Sequence, residues 1–135
     1  MARILITKLG LDGHDVGIKV LSVAARDAGH EVIVLGIRQT VQSVTQSAVQ
    51  EDPDLIAVSI LSGAHLVLLP ELVAGLRQAG VVAPVIVGGM IPDEDGPFLR
   101  EHGVAVVVPA GVMATEAVSL MVASISTSAV KNGGH

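Results

Sequence analysis

The sequence predicts an α/β domain in which one parallel sheet is covered by helices on both faces. Five short runs rich in Val and Ile recur along the chain, each continuously apolar rather than alternating. That is the pattern of strands buried on both faces. Between the runs lie stretches whose apolar residues recur at helical spacing. At 135 residues the chain is long enough for one well-formed core and too short for two.

The runs are Arg3–Thr7 (RILIT), Glu31–Leu35 (EVIVL), Leu55–Ser59 (LIAVS), Pro84–Gly88 (PVIVG) and Val104–Val108 (VAVVV). In the first intervening helix Val20, Leu21, Ala24 and Ala28 are expected to share the inward face, and in the second Val41, Val44, Ala48 and Val49. Leu69, Leu72, Val73 and Leu76 do so in the third, and Val118, Met121, Val122 and Ile125 in the last. The fourth helix, about Asp93 to His102, is marked by Pro92 and acidic residues at its start and Gly103 after its end. Gly29 and Gly80 sit where helices should stop, and Pro53 separates the second helix from the third strand.

Five strands alternating with five helices imply right-handed crossovers and a doubly wound, flavodoxin-like (Rossmann-like) sheet in the order 2-1-3-4-5. Residues 1–130 form the domain, and 131–135, ending in "NGGH", read as a flexible tail. In such sheets ligands bind beyond the carboxyl ends of the strands, near the switch point between the first and third. The loops that matter are therefore Lys8–Asp15, Ile60–Ala64, Gly89–Asp93 and Pro109–Met113.

Composition removes several function classes. Half the residues are apolar and 16% are charged, which excludes disorder, and no apolar span reaches membrane length. The N-terminus runs straight into a strand without the sections of a secretory signal, so a soluble, cytoplasmic protein is expected. Absence of cysteine removes disulfides and thiolate metal sites, and a formal net charge of −5 argues against nucleic acid. Phe98 is the single aromatic residue, so bases have no aromatic platform on which to stack.

The first loop, "KLGLDGHDVG", carries the chemistry. Its glycines, Gly10, Gly13 and Gly17, do not have dinucleotide-site spacing, and the second strand ends Leu35-Gly36 with no carboxylate for a ribose. No triphosphate-binding loop is present. A phosphorylatable receiver would need an aspartate and a lysine where Ser59 and Pro109 stand. What remains is Asp12-x-His14-x-x-Gly17. The Asp12 carboxylate can accept the ring N–H of His14, fixing its tautomer and leaving the other nitrogen for a metal, while Lys8 at the strand end keeps Asp12 ionised. An isolated Asp-x-His reads first as turn chemistry in a surface loop, and one histidine alone makes no zinc site. Of the other histidines, His30, His102 and His135 are scattered over helix ends and the tail, whereas His65 opens a helix beside a binding loop.

Taken with Ser59-Ile60-Leu61 after the third strand and Gly88-Gly89 after the fourth, this loop resembles the lower-ligand loop of the cobalamin-binding domain family. The fuller "KLGLDGHDVG", "SILSGAH" and "GGMIPDED" wording is similar to that of adenosylcobalamin-dependent acyl-CoA mutases of methylmalonyl-CoA and 2-hydroxyisobutyryl-CoA mutase type. At this length the chain resembles their separate small subunit. The resemblance implies that His14 replaces the cofactor's own base beneath cobalt, with Asp12 and Lys8 behind it as a ligand relay. The cofactor-binding set it implies is Asp12, Gly13, His14, Asp15, Gly17, Ser59, Leu61, Ser62, Gly88, Gly89 and Gly111. Among these, Gly17, Ser59, Leu61, Gly88 and Gly89 line a slot for the displaced nucleotide tail. The last loop, "PAGVMATE", departs from the Pro-Gly-Thr of many relatives, and Thr115 is the residue offering a substitute hydroxyl.

The reaction implied is a radical carbon-skeleton rearrangement of an acyl-CoA, with the cofactor supplying the radical and the protein supplying placement. The chain has no second catalytic constellation, so the resemblance implies a large barrel subunit that binds the acyl-CoA, without which this subunit is inactive. Nucleic acid and membrane are not expected partners. Two neighbouring readings stay open: a corrinoid carrier for methyl transfer, which accompanies a helical cap that the sequence does not show before Arg3, and the small subunit of an amino-acid mutase of glutamate mutase type. A cobalamin sensor would want an attached signalling segment.

Overall fold

The computed structural model describes residues 1–9, 16–36, 38–60, 65–89, 91–109 and 111–133. Its elements are β1 (Arg3–Lys8), α1 (Val16–Asp27), β2 (Glu31–Val34), α2 (Val41–Glu51), β3 (Leu55–Ile60), α3 (His65–Gln78), β4 (Val85–Gly89), a 3₁₀ turn (Asp93–Asp95), α4 (Gly96–Glu101), β5 (Val104–Val107) and α5 (Ala114–Gly133). The strands form one sheet in the order β2-β1-β3-β4-β5, every pair parallel. The flavodoxin-like order expected from the sequence is therefore the one observed.

The side-chain period of two sends alternate strand residues to opposite layers. Ile4 and Ile6 of β1, Leu55 and Ala57 of β3, and Ile86 of β4 pack against Ile18 and Ala25 of α1 and Val118 and Met121 of α5. Leu5, Ile56, Val58, Val85 and Val87 face the other way, onto Val44 and Ala48 of α2, Leu69, Leu72, Val73 and Leu76 of α3, and Leu99 of α4. Each such side chain removed from water contributes roughly 1.5–3 kcal/mol, which is why the order of layers is so strongly specified.

Helix ends follow local chemistry. The Thr40 hydroxyl accepts from the Ser43 N–H at 3.0 Å while the Ser43 hydroxyl accepts from the Thr40 N–H at 2.9 Å, a reciprocal cap at the start of α2. Gly29 and Gly80 close α1 and α3 at φ +92° and +85°, a region where a side chain would clash with its own backbone.

Three expectations need correction. In α1 the inward face is Ile18, Leu21, Ser22, Ala24 and Ala25, whereas Val20 is 53% exposed and Ala28 lies outside the core. In α2, Val44 and Ala48 are buried but Val49 is 52% exposed. The fourth helix is split: the acidic run forms the 3₁₀ turn, and α4 begins only at Gly96 with Pro97 in its first turn, where a missing N–H costs nothing. Helix α5 runs from Ala114 to Gly133.

Candidate functional site

Sheet register brings three of the sequence-predicted site residues into one row. Lys8 pairs with Ser59 across β1 and β3, and Ser59 pairs with Gly88 across β3 and β4. At a strand spacing of about 4.8 Å the row spans about 10 Å along the carboxyl edge of the sheet. Alternation places all three on the face covered by α1 and α5, in step with Ile4 and Ile6, Leu55 and Ala57, and Ile86. Lys8 is only 2% exposed, an unusual burial for an ammonium group, which enters a protein interior when it has a partner there. One residue further along, Ile60 pairs with Gly89.

At Ser59 and Gly88 the row opens into a cavity of about 440 Å³ between this face of the sheet and its two helices. Its floor is Ala57, Ser59, Ile86 and Gly88; α1 contributes Val20 and Leu21, α5 contributes Ala114, Ala117 and Met121, and the connection after β5 contributes Val108, Pro109, Gly111 and Val112. The space exists because small residues face one another: Ala57 and Gly88 on the sheet lie opposite Ala114 and Ala117 on the helix.

Gly88 is the telling position. A Cβ there would meet the nearest described atom, Val108 Cβ, at an ordinary 3.6 Å, and its φ lies outside the left-handed region. Neither packing nor backbone conformation among the described residues demands glycine at this point. The missing side chain serves to leave the floor open, which is what close approach of a bound group requires. Gly111, at φ +85° and with no described atom within 4 Å of where a Cβ would stand, turns the backbone at the rim.

Among the described wall residues, Ser59 alone has a side-chain hydroxyl or nitrogen. It is half-buried, and its hydroxyl has no partner among the described residues. An apolar slot with a single hydroxyl suits a flat, largely apolar group carrying one ring nitrogen. A second hollow, of about 350 Å³, lies at the opposite, amino edge, between the turn at Asp52–Asp54 and the segment from Ala79 to Pro84. Ligands of doubly wound sheets bind at the carboxyl edge, so the cavity over Ser59 and Gly88 is the functional candidate.

Asp12, Gly13, His14 and Asp15 of the first loop, and Leu61 and Ser62 of the second, lie outside the described residues. The backbone of Gly17 is in the first turn of α1, and Gly89 ends β4. Thr115 is exposed on α5 and is not part of the cavity wall. The helix-side wall was not read from the sequence; the signal that would have found it is the run of small residues at Ala114 and Ala117 facing Ala57 and Gly88. Also unforeseen was the partner of His65. This residue opens α3, is 4% exposed, and its Nε2–H donates to Asp95 Oδ2 at 2.7 Å.

Residues 2–119 match the B12 binding domain family model. The chain is 44% identical over 103 residues to the 2-hydroxyisobutanoyl-CoA mutase small subunit of Aquincola tertiaricarbonis, 76% of each chain being covered. To the pivalyl-CoA mutase small subunit of Xanthobacter autotrophicus it is 39% identical over 122 residues, covering 90% of this chain and 82% of that one. The ethylmalonyl-CoA mutase of Cereibacter sphaeroides is 42% identical over 105 residues, which are 78% of this chain but only 16% of that much longer one. Among solved structures, a cobalamin-binding protein from Desulfitobacterium hafniense shares the fold with a TM-score of 0.78 at 23% identity, over 91% of this chain and 58% of that one. A family model spanning most of the chain, and a small-subunit relative matched over three quarters of both lengths, lead to one conclusion: this chain belongs to the B12-binding domain family.

Proposed function

We propose that this chain is the cobalamin-carrying small subunit of an adenosylcobalamin-dependent acyl-CoA mutase, working with a large subunit that holds the acyl-CoA. The observation that carries the reading is the row Lys8, Ser59, Gly88, of which Ser59 and Gly88 floor the apolar cavity. The kinship with small subunits named for acyl-CoA mutases supports the reaction class. The barrel form of the partner rests on the family resemblance.

The residues fit the cofactor's nucleotide tail. Its benzimidazole base is a flat apolar bicycle with one free ring nitrogen once released from cobalt. Ser59 offers the hydroxyl for that nitrogen, Gly88 lets the base approach the sheet, and Ala57, Ala114, Ala117 and Met121 bound it with apolar surface. In this reading His14 supplies the lower ligand to cobalt, Asp12 holds the His14 ring N–H, and Lys8 keeps Asp12 ionised. Gly13, Asp15 and Gly17 shape that loop, Leu61, Ser62 and Gly89 complete the edge, and Gly111 turns the rim. Bound adenosylcobalamin supplies the homolytic cobalt–carbon chemistry, and the chain's own residues bind, orient and shield it.

Electron paramagnetic resonance of cob(II)alamin with the ¹⁵N-histidine-labelled chain and its large subunit tests the assignment. Coupling of the cobalt lines to protein nitrogen, lost in His14→Ala, is expected. A spectrum that keeps the cofactor's own base on cobalt in the wild type would overturn it.

A further inference from the structure

The ligand edge contains a polar pair that the cofactor chemistry above does not use. His65 is the first residue of α3, and in that first turn it alone is buried: Leu66 is 38% and Val67 61% exposed, and Leu68 is half-buried. Apolar anchoring of the helix begins only at Leu68, which packs against the core, and Leu69, which is fully buried in it. The first residue has a polar anchor, the hydrogen bond from His65 Nε2–H to Asp95 Oδ2, 2.7 Å long, between side chains that are 5% and 22% exposed. Asp95 ends the 3₁₀ turn that precedes α4, 30 residues along the chain.

The topology gives this bond a consequence. Ile60 and Gly89, the last residues of β3 and β4, are Cα partners in the sheet. From these two points the chain leaves as residues 61–64, ending at His65, and as residues 90–92, ending at the 3₁₀ turn. The start of α3 and the 3₁₀ turn before α4, which follow those paired strand ends, are thus tied directly to each other, and the polar tie has one bonding geometry where an apolar contact would have many.

We propose that His65 and Asp95 are a positioning pair which holds the start of α3 against the 3₁₀ turn, beyond the carboxyl ends of β3 and β4, for corrin binding. The inference rests on the cobalamin reading, which puts the cofactor at this edge of the sheet. Neither residue of the pair need touch the cofactor. Hydrogen-bond partners of metal-ligating side chains change affinity by about 10–100-fold when removed, and a pair further from the cofactor belongs at the low end of that range.

The test is a visible-absorbance titration of cobalamin into the chain with its large subunit, for wild type, Asp95→Ala, His65→Ala, the double variant and Asp95→Asn. Melting of the cofactor-free chains is measured in parallel. Asp95→Ala is expected to raise the Kd about tenfold while the cofactor-free melting temperature stays within a few degrees of wild type. The double variant should be no weaker than either single one, because the two side chains act as a unit. Asp95→Asn keeps an oxygen acceptor and should restore most of the affinity. Unchanged Kd in the alanine variants, additive losses in the double variant, or no rescue by asparagine would each overturn the proposal. A wild type that binds no cobalamin would sink the cofactor reading itself, and the pair with it.

Discussion

Two glycines illustrate how a single residue can be read for folding or for binding. Gly103, after α4, sits at φ +97°, and a Cβ there would lie 2.6 Å from Val73 Cγ1. Both the backbone and the α3 core exclude a side chain. Gly103→Ala should cost about 1–3 kcal/mol of stability, seen as a lower denaturant midpoint, with no specific effect on cofactor affinity beyond the unfolded fraction. Gly88 is the opposite case, tolerant of a side chain in its own chain but flooring the cavity. Gly88→Val should leave the cofactor-free midpoint nearly unchanged and weaken cobalamin binding more than tenfold, roughly the 1.4 kcal/mol or more that overlap with a buried ring would forfeit. Finding the reverse pattern, with Gly88→Val unfolded and Gly103→Ala unable to bind though stable, would mean that the two glycines have been assigned the wrong roles. The sequence alone marks both as glycines in turn positions; it is the environment of the absent Cβ that separates them.

At the scale of the element, the amino edge of the sheet is secured without reference to the ligand. Arg77, in the last turn of α3, donates to the carbonyls of Val81 at 2.8 Å and Ala83 at 3.0 Å, tying the helix to the segment that enters β4. Its burial pushes the guanidinium pKa down, yet the group stays charged throughout the physiological range. Arg77→Ala should lower stability by about 2 kcal/mol through the loss of charge-assisted bonds, measured by urea unfolding, while cobalamin affinity is kept because the site lies at the opposite edge. A large affinity loss would show that the two edges communicate. The strands were legible because burial on both faces writes a continuous apolar run, as in Leu55–Ile60. The inward face of α1 was not, because Ile18, Val20, Leu21, Val23, Ala24 and Ala25 surround most of the helix with apolar residues. Val20 borders the cavity mouth, so its exposed apolar surface reflects the slot rather than the core. The 3₁₀ turn escaped because its acidic run looks like an ordinary helix start, and the pairing of Asp95 with His65 spans 30 residues that no local pattern links.

For the whole molecule, the asymmetry of the two layers decides how the cofactor should couple to stability. The layer of α2, α3 and α4 is packed with Leu, Ile and Val, whereas small residues leave the α1–α5 layer open over β3 and β4. The strand ends named from the sequence, Lys8, Ser59 and Gly88, could be aligned only once the pairing register was known, and that register is a property of the sheet, not of any one motif. A group that fills the open layer binds the native state and has no site in the unfolded chain. At a free concentration a hundred times its Kd it therefore adds about 2.7 kcal/mol of stability, which corresponds to roughly a 10 °C rise in melting temperature for a domain of this size. The chain has no Trp or Tyr, so fluorescence is uninformative and the transition is best followed by far-ultraviolet circular dichroism, with corrin bands read free of protein absorbance. Cobalamin should raise the melting temperature of the wild type and leave that of Gly88→Val almost where it was. An equal rise in both would place the bound group outside the cavity, on some other surface of the chain. No rise in either, even at high cobalamin, would mean that the slot closes around the tail only when the large subunit is present, and the same titration on the assembled pair would then have to separate the wild type from Gly88→Val.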